Sequence, residues 1–149
     1  MTFTPVVHSE PVRDEWIDYN GHLSEAYYVL VFGHATDAVM DRVGLGPAYR
    51  EANDASLFTV EAHIRYLDQV EAGATLEVRS WVVASTAKLL HVWHEMYAGG
   101  RLRATEEVLG VHVDAGAGRA TPFPAEVVGL IGAARGPVPE TTGRSIHIG

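Results

Sequence analysis

The alternation of apolar and polar positions divides the chain into one strand, one long helix and then four further strands. Thr4 to Val12 sets Val6, Val7 and Val12 around polar His8, Ser9 and Glu10, and Pro5 and Pro11 suit the ends of an edge segment. From Ser24, a residue suited to an N-cap, to about Val43, a helix is predicted. It carries apolar residues on nearly every face: Tyr27, Tyr28, Val29, Leu30, Val31, Phe32, Ala35, Ala38, Val39 and Met40. Such a helix belongs inside something that wraps it. Gly44, Gly46 and Pro47 stop it, and Ala48 to Asp54 reads as a short polar connection with room for one helical turn.

Ser56 to Leu67 then alternates Phe58, Val60, Ala62, Ile64 and Tyr66 against Thr59, Glu61, His63 and Arg65. Thr75 to Val83, Lys88 to Ala98 and Arg101 to Val113 follow after short breaks, with Gly99-Gly100 as a hairpin turn. Asp114 to Pro124 reads as a loop, and Ala125 to Ala134 as a short helix. The predicted class is α+β, a curved five-stranded antiparallel sheet wrapped around one long central helix. A single domain is expected over residues 1–134 and a flexible C-terminal tail over 135–149, where Pro, Gly and Thr accumulate. One helix cannot cover both faces of such a sheet, so a homodimer or homotetramer is expected.

Composition narrows the function. At 149 residues the chain suits one domain, and a net charge of −8 without a basic stripe argues against nucleic acid as a partner. The absence of cysteine removes disulfides, thiolate nucleophiles and cysteine metal sites. No basic region precedes an apolar core at the start, and the longest apolar run, Ala26 to Phe32, falls far short of the ~20 residues that span a bilayer. A cytoplasmic location with no membrane partner is the expectation.

The candidate chemistry lies between Trp16 and Phe32. Asp18, Asn20 and His22 cluster around Gly21, directly before the N-terminus of the long helix. A carboxylate beside oriented N–H donors is equipment for attacking a carbonyl. The same residues equally suit a turn in which Asp18 and Asn20 cap backbone groups. Thr59 and Glu61, two apart in a strand, are expected to share a face. Glu61 suits either a second carboxylate brought to the partner's Asp18 in a two-fold dimer or, equally, a solvated strand residue. Trp16, Tyr19, Ser24, Glu25, Tyr27, Tyr28 and Thr59 are the candidate substrate-binding residues. His91 and His94, three apart in a strand, point to opposite faces, and no metal site is expected. There is no G-x-S-x-G elbow, and Gly116-Ala117-Gly118 lacks the context of a dinucleotide site.

Three segments carry a resemblance: Asp18-Tyr19-Asn20-Gly21-His22-Leu23 followed by Tyr27-Tyr28, the run Phe58 to Leu67, and Ala72-Gly73-Ala74-Thr75-Leu76-Glu77-Val78. Over about residues 4–132 the chain resembles the hotdog-fold acyl-CoA thioesterases of the 4-hydroxybenzoyl-CoA thioesterase type. Trp16 to His22, Val31 to Ala38 and Ala48-Tyr49-Arg50 look most like the members associated with carnitine and betaine metabolism, whose substrate is betainyl-CoA. The resemblance implies hydrolysis of an acyl-CoA thioester without a cofactor. Asp18 would be base or nucleophile, Asn20 and His22 would orient it, and the helix N-terminus would hold the oxyanion. Two alternatives remain: a hotdog hydratase or dehydratase, whose Asp-x-Asn-x-x-His is echoed with the His one residue too close, and a non-catalytic acyl-CoA binding module.

Overall fold

The computed structural model describes residues 3–143 together with 146 and 148. The elements run β1 (Val6–Pro11), a single 3-10 turn (Asp14–Trp16), α1 (Glu25–Arg42), α2 (Pro47–Asn53), β2 (Ala55–Tyr66), β3 (Thr75–Ser85), β4 (Leu89–Ala98), β5 (Arg101–Asp114), β6 (Arg119–Ala120) and α3 (Ala125–Ala133). All strand pairs are antiparallel, in the order β1-β3-β4-β5-β2, with β6 beside β5. This is the curled sheet around a central helix that the hotdog resemblance implies. A sixth strand corrects the expected five: Gly118, at φ 67°, reverses the loop after β5 so that Arg119 pairs back with Asp114. The polar connection after α1 is likewise a full seven-residue helix, started by Pro47 and ended by Asp54 in the left-handed conformation.

α1 is the hub of the core. Val31, Phe32, Ala35 and Val39 are fully buried, and each such apolar side chain contributes about 1.5–3 kcal/mol, alanine less. The helix lies off centre, against β1, β3 and β4. That position leaves Val29 and Leu30 of α1, and Phe58 and Val60 of the edge strand β2, exposed. Beneath the middle of α1 the sheet carries a buried polar cluster. The Thr36 hydroxyl donates to the Phe32 carbonyl (3.0 Å), so His94 donates to Thr36 from Nε2 (2.9 Å) and accepts from Ser80 at Nδ1 (2.5 Å). Burial pushes the His94 imidazole down to about 3, and it is neutral there. Glu106 lies 3.9 Å from His94, and burial pushes its carboxyl up to about 7.

The expected tail is docked over its first part. Arg135 bridges Val82, the Trp81 indole N–H donates to the Pro137 carbonyl (2.7 Å), and the Gly143 amide donates to Glu107 (2.7 Å). Gly136 passes so close that a Cβ there would lie 2.6 Å from Trp81 and 2.8 Å from Phe3. These contacts cover Trp81 and Trp93 on the outer face of the sheet. The remaining tail, apart from Ile146 and Ile148, lies outside the described residues.

Candidate active site

Asp18 is placed by a tight loop closed with backbone bonds. Its amide donates to the His22 carbonyl (2.8 Å), Gly21 takes φ 82° to turn the chain, and Leu23 donates onward to Val70 (2.9 Å). The Asp18 carboxylate accepts the Asn20 amide (2.9 Å) and the His22 amide (3.2 Å), both at Oδ1. So the capping role and the candidate chemical role coexist: one oxygen holds the turn, and Oδ2 has no hydrogen-bond partner among the described residues. Asn20 and His22 act on Asp18 through their backbone, which side-chain reasoning did not anticipate.

The loop delivers the chain into α1, and Ser24 stands at the N-cap without a side-chain capping bond. Glu25 and Ala26, the first two helical residues, therefore present amide N–H groups with no intrahelical acceptor, at the positive end of the helix dipole. Asp18 and this terminus share a cleft of about 780 Å³, lined also by Tyr19, Asn20, His22, Tyr28, Tyr66, Leu67, Asp68 and Gln69. Tyr28 donates its hydroxyl to the Asp68 carbonyl (3.2 Å) and meets the Tyr66 ring edge-on at 5.1 Å. Burial raises the phenol pKa of both tyrosines, which stay neutral. The loop from Leu67 to Glu71 is pinned by Arg103, which is buried and donates to Gln69, Ala98 and Glu71. Arg103 is thereby committed to holding this loop, whereas Arg101 is exposed beside Asp68 at 3.0 Å.

Several predicted site residues fall elsewhere. Trp16 is 5 % exposed and stacks on Tyr27 at 5.4 Å, so this pair supports the loop from behind and does not line the cleft. Tyr19 lines it but is 98 % exposed. Thr59 and Glu61 do not share a face. A register shift between them pairs Thr59 with Gly110 and Glu61 with the adjacent Leu109, so Thr59 faces inward and Glu61 outward. Thr59 accordingly lines a groove with Val29, Gly33 and Glu106, while Glu61 lines an outer pocket with His63, His91 and Glu107. Leu23, Tyr66, Leu67, Asp68 and Gln69 line the cleft without having been candidate site residues in the sequence.

Comparison with known proteins decides the family. The model of the thioesterase-like superfamily matches residues 12–131. The chain belongs to this superfamily. It is 41 % identical, over 99 % of its length and 98 % of the relative's, to a betainyl-CoA thioesterase of Pseudomonas aeruginosa. It is 37 % identical over 93 % of its length to an L-carnitine dehydrogenase/betainyl-CoA thioesterase of Rhizobium meliloti, of which the match spans 29 %. Among solved structures, a Staphylococcus aureus protein in complex with CoA superposes with a TM-score of 0.91 at 26 % identity, covering 100 % of this chain and 98 % of that one. A thioesterase-like protein of Pseudomonas putida does so at 0.83 and 33 %, covering 100 % and 99 %. Membership makes the chain a hydrolase acting on acyl-CoA thioesters. No helix among the described residues is long and apolar enough to cross a membrane.

Proposed function

We propose that the chain hydrolyses betainyl-CoA to betaine and free CoA. The observation that carries the chemistry is the Asp18 carboxylate, fixed through Oδ1 and open at Oδ2, beside the unpaired N–H groups of α1 in one cleft. The thioester carbonyl oxygen points at the Glu25 and Ala26 amides, whose donors stabilise the oxyanion as it forms. Asp18 then attacks the carbonyl carbon to give a mixed anhydride that water hydrolyses in a second step, or takes a proton from an attacking water. Either route expels the CoA thiolate, returns Asp18 to its carboxylate and needs no cofactor.

The acyl head is a trimethylammonium group, which offers no N–H donor and is recognised by aromatic faces and carboxylates. Tyr28, Tyr66, Glu25 and Asp68 supply both in the cleft. The full-length relative named as a betainyl-CoA thioesterase supports the same acyl group. Assembly is part of the proposal: the exposed edge of β2 and the apolar Val29 and Leu30 suit a two-fold homodimer, alone or within a tetramer. A cytoplasmic location accompanies the acyl-CoA substrate.

Rates of thiol release from betainyl-CoA, its neutral isostere 3,3-dimethylbutyryl-CoA, acetyl-CoA and a long-chain acyl-CoA test the reading. Betainyl-CoA is expected to exceed the isostere in kcat/KM by at least ~10-fold, since each cation–π contact is worth about 0.5–2 kcal/mol. Equal rates with the isostere would sink the betaine assignment and leave the thioesterase intact. Binding of every thioester without thiol release would instead make the chain a non-catalytic module.

A further inference from the structure

Away from the cleft, β1 and α1 are joined by three side chains whose donor atoms converge. His8 and Glu10 are two apart on β1 and share its inner face, and His34 meets them from α1. His8 Nε2 and His34 Nδ1 both lie 2.6 Å from the same oxygen, Glu10 Oε2, with the two rings 5.9 Å apart. Among the described residues this is the only set of three His, Asp or Glu ligand atoms gathered within 4.8 Å.

A second carboxylate between two histidines shows what is special here. Glu107 meets His91 through Oε1 (3.0 Å) and His63 through Oε2 (3.6 Å), so its two imidazoles approach different oxygens and do not converge. Its Oε1 also accepts the Gly143 amide.

We propose that His8, Glu10 and His34 bind a divalent first-row transition ion, Zn²⁺ being the best match, which clamps the edge strand β1 to α1. Two imidazole nitrogens and one carboxylate oxygen are the donor set such ions take, and three protein ligands leave one position for water. Ligand atoms about 2.0–2.1 Å from a tetrahedral ion sit roughly 3.3 Å from one another. The present 2.6 Å contacts need to open by less than an ångström, which small rotations of the side chains supply. The Glu10 carboxyl is mostly buried. The Glu10 side chain is 15 % exposed, so the oxygen shared by the two imidazoles has little competing solvent. His34, with its side chain 41 % exposed, gives the ion a way in from solvent. None of the three residues lines the Asp18 cleft, so the ion acts on stability and not on the thioester.

The test starts from chelator-treated full-length protein, titrated with Zn²⁺ by calorimetry and with Co²⁺ by visible absorption. One ion per chain is expected. Zn²⁺ affinity should fall at least ~10-fold in His34→Ala, which removes an exposed ligand, and also in Glu10→Gln. Saturating Zn²⁺ should raise Tm by several degrees in the unaltered protein and by clearly less in His34→Ala. Chelation should leave thiol release from acyl-CoA unchanged. Zn²⁺ binding that is absent, or equally tight in the unaltered protein and His34→Ala, overturns the site. A Tm indifferent to Zn²⁺ overturns the clamp.

Discussion

The two halves of α1 meet polar groups in opposite ways. At its N-terminus the helix faces Asp18, a carboxylate held by backbone amides with one oxygen open to a cleft. Around Thr36 it covers His94, an imidazole sealed from solvent with both nitrogens bonded, and Glu106 beside it. In the buried pair burial pushes His94 down to about 3 and Glu106 up to about 7, yet neither lines the cleft. Strong pKa displacement marks desolvation here, whereas the proposed chemistry rests on an unbonded oxygen. A search for function by perturbed titration alone would have chosen the other half of the helix from the one proposed to carry the chemistry.

Replacing the open carboxylate gives the largest expected effect. Asp18→Asn preserves an oxygen that accepts the Asn20 and His22 amides, so the loop and Tm should persist. Turnover should fall at least ~100-fold, the low end for a positioned acid–base group, with a much smaller change in KM. Near-normal kcat would remove Asp18 from the mechanism and reduce the loop to a turn.

The sealed half is tested through stability against pH. Between 4.5 and about 7 folded Glu106 holds a proton that the unfolded chain has released, so its contribution falls as pH rises. Between about 3 and 6.5 the unfolded chain holds a His94 proton that the folded state rejects, so that contribution rises with pH. The two oppose each other where they overlap. Glu106→Gln removes the first, and its unfolding free energy should climb from pH 4.5 to 6.5 more steeply than that of the unaltered protein, by up to about 1.4 kcal/mol per pH unit. Denaturant melts at half-unit pH steps measure this; parallel profiles would show that Glu106 titrates normally.

The difference between the halves also explains what the sequence disclosed. The order of elements was legible because periodicity changes from helical to alternating at Ser56, and the Asp18 loop because Gly21 and its polar neighbours directly precede an apolar helix. The local hydrogen bonds of Asp18 span only two and four residues, within reach of local reasoning. Tyr66 to Gln69 reach the same cleft from the far end of β2, and no local signal connects them to Asp18. His8, Glu10 and His34 meet only because β1 packs on α1. Pro137 and Gly136 looked like linker by composition, and it took the positions of Trp81 and Phe3 to make them a fitted cover.

The smallest expected effect belongs to Glu61, where strict alternation misled. β2 has no Gly or Pro at Val60 to announce an irregularity, yet the register slips there, and a one-residue slip moves a side chain to the other face. Glu61 therefore lies with His63, His91 and Glu107 on the outside of the sheet, while the Asp18 cleft opens beside α1. If β2 edges pair in a dimer, the sheet continues and Glu61 is expected to stay on its outer face, away from the partner's Asp18. Glu61→Gln should accordingly keep kcat/KM for acyl-CoA within about twofold, against the ~100-fold loss expected at Asp18. A loss at Glu61 approaching that of Asp18→Asn, with Tm unchanged, would show that assembly reverses the face of β2 and would restore the two-carboxylate site.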